Sequence, residues 1–302
     1  MGQFLMRESS RGKYNKHKET TVLTNPAYGS AHPLEIAAKT DPGKLRSLNE
    51  DSIATVSDLG LLVLADGMGG YQSGDVASSL ATQIIVEGLA RELRGQSNNG
   101  SSDVVRIVEE VVKRANQAIH LESQQRAQRA HNSQSQAMGS TLALLLFRNN
   151  QVTMAHVGDS RIYRLRANRL ELMTHDHSLL QEQIDRGILD SEAAATSHNR
   201  HLVTRGLGLQ ADVEVALDER EALPGDVYLV CSDGLNDMVD NTDIELVLNS
   251  LQANLPLAAS QLVMIANDNG GDDNISVILA KVGAKAAPGA RKNGLFSWLF
   301  GR

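Results

Sequence analysis

Hydrophobic positions along the chain gather into short unbroken runs separated by polar turns. Leu61-Leu62-Val63-Leu64-Ala65 is apolar at every position, as in a strand buried on both faces. Leu142–Phe147, Val152–Val157, Arg161–Leu165, Val227–Cys231 and Ile275–Leu279 read the same way, and Ser52–Val56 is strand-like. Asn149-Asn150 and Ala167-Asn168 stand between neighbouring runs and predict hairpin turns. Helical stretches are predicted at about Asp75–Leu93, Asp103–Gln128, Ser178–Arg186 and Leu255–Asn267. In the first, Val76, Leu80, Ile84 and Leu89 keep roughly helical spacing on one face. Strands in hairpin groups with helices in pairs point to a layered α+β domain rather than strict β-α-β alternation.

Composition narrows the class. With 302 residues and 41% hydrophobic content the chain can bury a sizeable core. One cysteine excludes a disulfide framework and a cysteine-based zinc site. No apolar run is long enough for a transmembrane helix. The net charge of −7 argues against a general nucleic-acid binder. That charge is uneven: +3 over residues 1–20, +5 over 281–302 and −15 between them.

The ends differ from the body. Residues 1–33 lack apolar periodicity and read as a disordered arm with neither a secretory nor a myristoylation signal. Residues 284–302 read as a basic linker and a short tail holding the only Trp, Trp298, with Phe296 and Phe300 beside Arg291 and Lys292. Residues 291–302 could dock back on the body, or touch a partner or a membrane surface.

The acids are placed unusually. Leu61–Ala65 ends in Asp66-Gly67, Val227–Cys231 in Ser232-Asp233-Gly234, and Met154–Val157 in Gly158-Asp159-Ser160. Asp272-Asp273-Asn274 stands just before Ile275–Leu279, and Asn49-Glu50-Asp51 before Ser52–Val56. One Asp-Gly is an ordinary turn. Several carboxylates delivered by separate buried strands need a compensating positive charge. All-oxygen ligands suit Mg²⁺ or Mn²⁺, and the lack of paired Cys or His disfavours zinc. Competing motifs fail: Gln72 stands where a dinucleotide fingerprint needs its third glycine, and no phosphate-loop Gly-Lys-Ser/Thr or Gly-x-Ser-x-Gly elbow occurs. Cys231, inside an apolar run, reads as a core residue.

Seven motifs carry a resemblance, in order. They are Arg46-Ser47-Leu48-Asn49-Glu50-Asp51, Ala65-Asp66-Gly67-Met68-Gly69-Gly70, Gly139-Ser140-Thr141 and His156-Val157-Gly158-Asp159-Ser160-Arg161, followed by Asp176-His177-Ser178, Ser232-Asp233-Gly234-Leu235 and Asp272-Asp273-Asn274-Ile275-Ser276. In these, the chain resembles the bacterial metal-dependent protein serine/threonine phosphatases of type 2C. The resemblance implies a four-layer αββα sandwich over residues 34–283, two antiparallel sheets flanked by helix pairs. It implies two or three Mn²⁺ or Mg²⁺ ions and hydrolysis of phosphoserine and phosphothreonine on proteins by a metal-activated water, reversing a serine/threonine protein kinase in the cytoplasm.

Residue by residue, the resemblance makes Asp66 and the Gly67 carbonyl the bridge between two ions. Asp233 and Asp273 complete one site, Glu50 serves the other, and Asp51 holds a bound water. Asp159, with Asp233 and Asp237, matches a third ion. Arg46 grips the substrate phosphate, as a bidentate guanidinium does better than a lysine. One departure stands out: Met68 occupies the place of a histidine proposed as general acid in animal relatives, so a bound water is the first candidate for that role. His156 reads as structural, His175 and His177 as ordering their loop, and Leu179–Arg205 as the counterpart of a flap with Gly187, Gly206 and Gly208 as hinges. A non-catalytic binding module would be the alternative, but such members usually lose the acids kept here.

Overall fold

Two-sided burial explains why the apolar runs become strands. The computed structural model describes residues 20–23, 32–69, 73–94, 100–129, 138–189 and 202–284. The chain runs β1 (Thr20–Leu23), β2 (Leu34–Asp41), β3 (Asp51–Val56), β4 (Leu61–Met68), α1 (Gly74–Leu93) and α2 (Ser101–Arg129). It continues through β5 (Gly139–Ser140), β6 (Leu142–Arg148), β7 (Gln151–Val157), β8 (Arg161–Arg166), β9 (Arg169–Leu172) and α3 (Leu179–Asp185). It ends with β10 (Ala216–Glu221), β11 (Val227–Cys231), α4 (Asp233–Asn236), α5 (Asn241–Leu251), α6 (Leu255–Asp268) and β12 (Ile275–Val282).

One antiparallel sheet has the order β1-β2-β12-β11-β8-β9; the other is β10-β7-β6-β4-β3, with β5 beside β4. Alternate residues divide between two cores. Leu61, Val63 and Leu144 face α1 and α2, while Leu62, Leu64 and Leu145 meet the opposite sheet. On β12, Val277 and Leu279 face α5 and α6, while Ile278 and Ala280 meet the other sheet. The result is helix pair, sheet, sheet, helix pair, the expected four-layer sandwich.

The hairpins are tight because their central residues adopt positive φ. Asn149 and Asn150 have φ 47° and 65°, Ala167 and Asn168 φ 50° and 63°, which matches the twist of the strands they join. Ser178 caps α3 by accepting the Gln181 N–H, and Asp240 caps α5 by accepting the Asp243 N–H. Within the first 33 residues, Thr20–Leu23 pairs with β2; most of that arm, residues 190–201 of the flap counterpart and the tail 291–302 lie outside the described residues.

Candidate active site

Antiparallel register brings the acids together at one end of both sheets. Asp51 opens β3 directly opposite Asp66 near the end of β4. Cys231 at the end of β11 pairs with Val277 of β12, so Asp233 just beyond one strand and Asp273 just before the other arrive at the same edge. Asp159 comes from the turn between β7 and β8, and Asp237 follows α4. Glu50 lies at the start of α1, where the backbone N–H groups of Gly74 and Asp75 donate to its carboxylate, as helix N-termini do for anions.

Arg46, Glu50, Asp66, Gly67, Asp159, Asp233, Asp237 and Asp273 all line one cavity of about 480 Å³, together with Met68, Val203, Met238 and Asp272. Asp51 sits behind this wall, in a smaller cavity of about 160 Å³ with Thr40, Asn49 and Asp75. None of the histidines named from the sequence lines the main cavity. His156 is buried with its ring against His177, and His175 contacts Asp185 at 2.7 Å. Cys231 is fully buried, and burial pushes its thiol up to about 12, which suits a core residue rather than a nucleophile.

The electrostatics of the acids are unbalanced. Burial, and then the charges of Asp51, Asp233, Asp159 and Asp273, hold the Asp66 carboxyl well above the usual range. Asp233 is raised in the same way by burial and by Asp159, Asp237, Asp273 and Asp51. Asp51 and Asp159 are pushed up to about 7, mainly by burial. Glu50 is raised by burial, with the α1 amides pulling it back. Among the described cavity-lining residues Arg46 is the one cation, and it donates to Asp273 Oδ2 at 2.7 Å.

These residues fit hard divalent cations. Asp51 Oδ1 and Asp233 Oδ1 are buried without a hydrogen-bond partner, as expected of oxygens reserved for an ion. The donors are all oxygen, the chemistry of Mg²⁺ and Mn²⁺ sites. Among the described residues no three acid, His or Cys side chains already close round one point. Asp273 Oδ2 accepts from Arg46 Nη2 at 2.7 Å, and Asp51 Oδ2 accepts from Ser232 Oγ at 2.8 Å.

Several supporting residues have no role in the sequence reading. Asn274 accepts the Glu50 N–H at 2.7 Å and donates to the carbonyls of Pro42 and Leu48, tying the Arg46 loop to β12. Thr141 Oγ1 accepts the Asp66 N–H and shares a 2.7 Å bond with Ser160 Oγ. Ser232 Oγ accepts the Ser276 N–H. The available signal is a hydroxyl or amide interrupting an apolar strand, as in Ile275-Ser276-Val277. Gly67 has a structural reason too: a Cβ there would run into the Gly74 carbonyl and lie 2.7 Å from the Glu50 oxygen.

With this geometry described, three comparisons bear on the chain. Residues 45–263 match the family model described as protein phosphatase 2C. The chain is 36% identical to the serine/threonine protein phosphatase PstP of Mycobacterium tuberculosis over 82% of its own length, though it spans only 45% of that protein. It is 31% identical to the serine/threonine phosphatase stp of Listeria monocytogenes, covering 80% of this chain and 94% of that one. A crystal structure of the PstP catalytic domain in complex with two manganese ions superposes with a TM-score of 0.69 at 35% identity, covering 83% of this chain and 99% of the domain. An ordered set of strand-end acids, a four-layer sandwich and a family match over most of the chain agree: the chain belongs to the protein phosphatase 2C family.

Proposed function

We propose that the protein hydrolyses phosphoserine and phosphothreonine on proteins, using two or three Mn²⁺ or Mg²⁺ ions. The observation that carries this is the set of strand-end carboxylates facing one cavity, Asp233 among them with an unpaired buried oxygen, where Arg46 is the one cation among the described lining residues. The manganese in the PstP catalytic domain supports the choice of ion.

Asp66, the Gly67 carbonyl, Asp233, Asp273 and Glu50 would hold two ions. Asp51 would hold a water from behind, and Asp159, Asp233 and Asp237 would take a third ion. When bound, such ions neutralise phosphoryl oxygens and supply hydroxide at neutral pH. Arg46 takes the substrate phosphate through parallel N–H bonds and orients it for in-line attack. The attacking oxygen bonds to phosphorus as the P–O bond to the serine or threonine breaks, leaving inorganic phosphate, and the departing alcohol oxygen takes its proton from a bound water, the candidate for that role where Met68 stands. Met68, Val203 and Met238 form the apolar part of the wall.

The natural substrates are phosphoproteins made by a serine/threonine protein kinase, and the site of action is the cytoplasm. No described helix is long and apolar enough to cross a membrane. Residues 291–302 would serve location or partner choice. The test is turnover of p-nitrophenyl phosphate and a phosphothreonine peptide with Mn²⁺. Full activity in excess EDTA would sink the reading.

A further inference from the structure

Two consecutive residues between β9 and α3, Asp176 and His177, grip the turn that carries Asp159 from both sides. His177 Nδ1 accepts the Gly158 N–H at 3.1 Å, and the His177 backbone N–H donates to the Gly158 carbonyl at 2.8 Å. Asp176 forks onto Arg161, with Nε at 3.0 Å from Oδ1 and Nη2 at 2.7 Å from Oδ2. Between these two anchors stand Asp159 and Ser160. Gly158 has φ 106°, a backbone shape that only glycine adopts without strain, and the buried Ser160 also ties the turn to Thr141 at 2.7 Å. His177 does not line the main cavity, so it acts there through the turn, whereas Asp176 lines a smaller adjoining cavity with Asp159, Asp233 and Asp237.

Both ring nitrogens of His177 face donors, Nδ1 the Gly158 N–H at 3.1 Å and Nε2 the Arg205 Nη1 at 3.3 Å. The neutral ring accepts at only one of them, and the shorter contact puts the lone pair on Nδ1 and the proton on Nε2. Burial, and then the neighbouring His156 and Arg205, push the His177 pKa down to about 3. Arg205 Nη1 lies 3.3 Å from Nε2, where a second positive charge is repelled. Arg205 is itself anchored by Glu214 at 2.8 Å, and the neighbouring Thr204 N–H donates to the His177 carbonyl at 2.9 Å.

We propose that His177 is a positioning residue: through Gly158 it aims the Asp159 carboxylate into the cavity, and the acceptor at Nδ1 sets how well that carboxylate can hold a divalent ion. This rests on the proposed metal-dependent function. Outer partners that orient a ligand typically change metal affinity by about 10–100-fold when lost.

Two substitutions separate acceptor geometry from packing. An asparagine amide oxygen can stand where Nδ1 stands, whereas a glutamine reaches the Nε2 position instead. The full chain, His177→Asn and His177→Gln are titrated with MnCl₂ by calorimetry, and kcat and the Mn²⁺ dependence of p-nitrophenyl phosphate turnover are measured. The Gln variant should lose about tenfold or more in affinity for the weakest-bound ion, with kcat recovered at saturating Mn²⁺. The Asn variant should stay close to the unsubstituted protein. Equal losses in both variants, or no loss in either, would overturn the proposal. If the unsubstituted protein binds no Mn²⁺, the metal-dependent reading falls and takes this inference with it, a different outcome from unchanged binding in the variants. Should a variant fail to fold, ring nitrogen NMR of the unsubstituted protein decides: a proton on His177 Nδ1 overturns the proposal, and a proton on Nε2 alone supports it.

Discussion

The two ends of β11 bury an aspartate in opposite ways. Asp226, just before the strand, is 2% exposed and fully matched: Arg166 forks onto it at 2.7 and 2.6 Å, and the Leu223 N–H donates at 2.8 Å. Asp233, two residues past the other end, has an unpaired buried oxygen and four other aspartates raising its pKa. A carboxylate that only builds structure is given an arginine, because an unpaired buried charge is expensive. A carboxylate left without one at the edge of a cavity has the chemistry to take a mobile cation. The five-residue strand therefore separates a structural aspartate from one that faces the cavity, seven positions apart.

Substitution at each end should break the molecule differently. Asp233→Asn should lower phosphatase activity on the order of 100-fold or more, beyond an outer-partner loss, while the metal-free protein melts no lower, and higher if relief of repulsion dominates; equal activity on p-nitrophenyl phosphate would remove Asp233 from the site. Asp226→Asn should do the reverse. It should weaken folding by about 2–3 kcal/mol in urea titration, less than a fully buried pair because Arg166 is partly exposed, with turnover per folded molecule retained. Arg46→Lys keeps the charge but loses the fork, and should reduce kcat/KM for a phosphothreonine peptide about tenfold, roughly one charge-assisted hydrogen bond.

The pH response sharpens the contrast. Burial pushes the carboxyls of Asp51 and Asp159 up from their ordinary 3.8 to about 7 in the folded protein. Between those values the folded state binds more protons than the unfolded one, so stability falls as pH rises from about 4 through about 7. Divalent ions bind the ionised carboxylates and reverse this. The rise in melting temperature on adding Mn²⁺ should thus be larger at pH 8 than at pH 5.5. A rise that is equal at both values would mean that the ions bind elsewhere.

The fold was legible where burial is two-sided. Runs such as Leu61–Ala65 and Leu142–Phe147 have no polar face to confuse their period, and positive φ at Asn149-Asn150 follows from residue type. Helix α6 covers Leu255–Asp268 against the predicted Leu255–Asn267. Strand β10 was not legible, because Leu217, Asp218, Glu219 and Arg220 form an edge strand whose pairing with β7 comes from tertiary context. Helix α5 went unread as well, although Asp240 caps it and Ile244, Val247 and Leu248 form its buried stripe. The candidate acids were legible as strand-end acids, and the motif order assigned their roles. What the sequence hid was depth: Asp51 lies behind the cavity wall rather than on it, and Asn274 holds the Arg46 loop, facts that depend on register rather than on residue type.

Gly67 and Gly74 meet backbone to backbone beneath Glu50, and a Cβ on Gly74 would lie 2.8 Å from the Glu50 Oε1 and 2.7 Å from the Gly67 oxygen. Variation along this chain should therefore obey two separate selections. A population screened only for soluble folded protein should let Asp66 and Asp233 drift to neutral residues, since their charges oppose folding, while Gly67 and Gly74 remain unchanged. A population screened for turnover should hold all four. A descendant that abandons catalysis would then be recognisable by vanished acids around a preserved glycine contact.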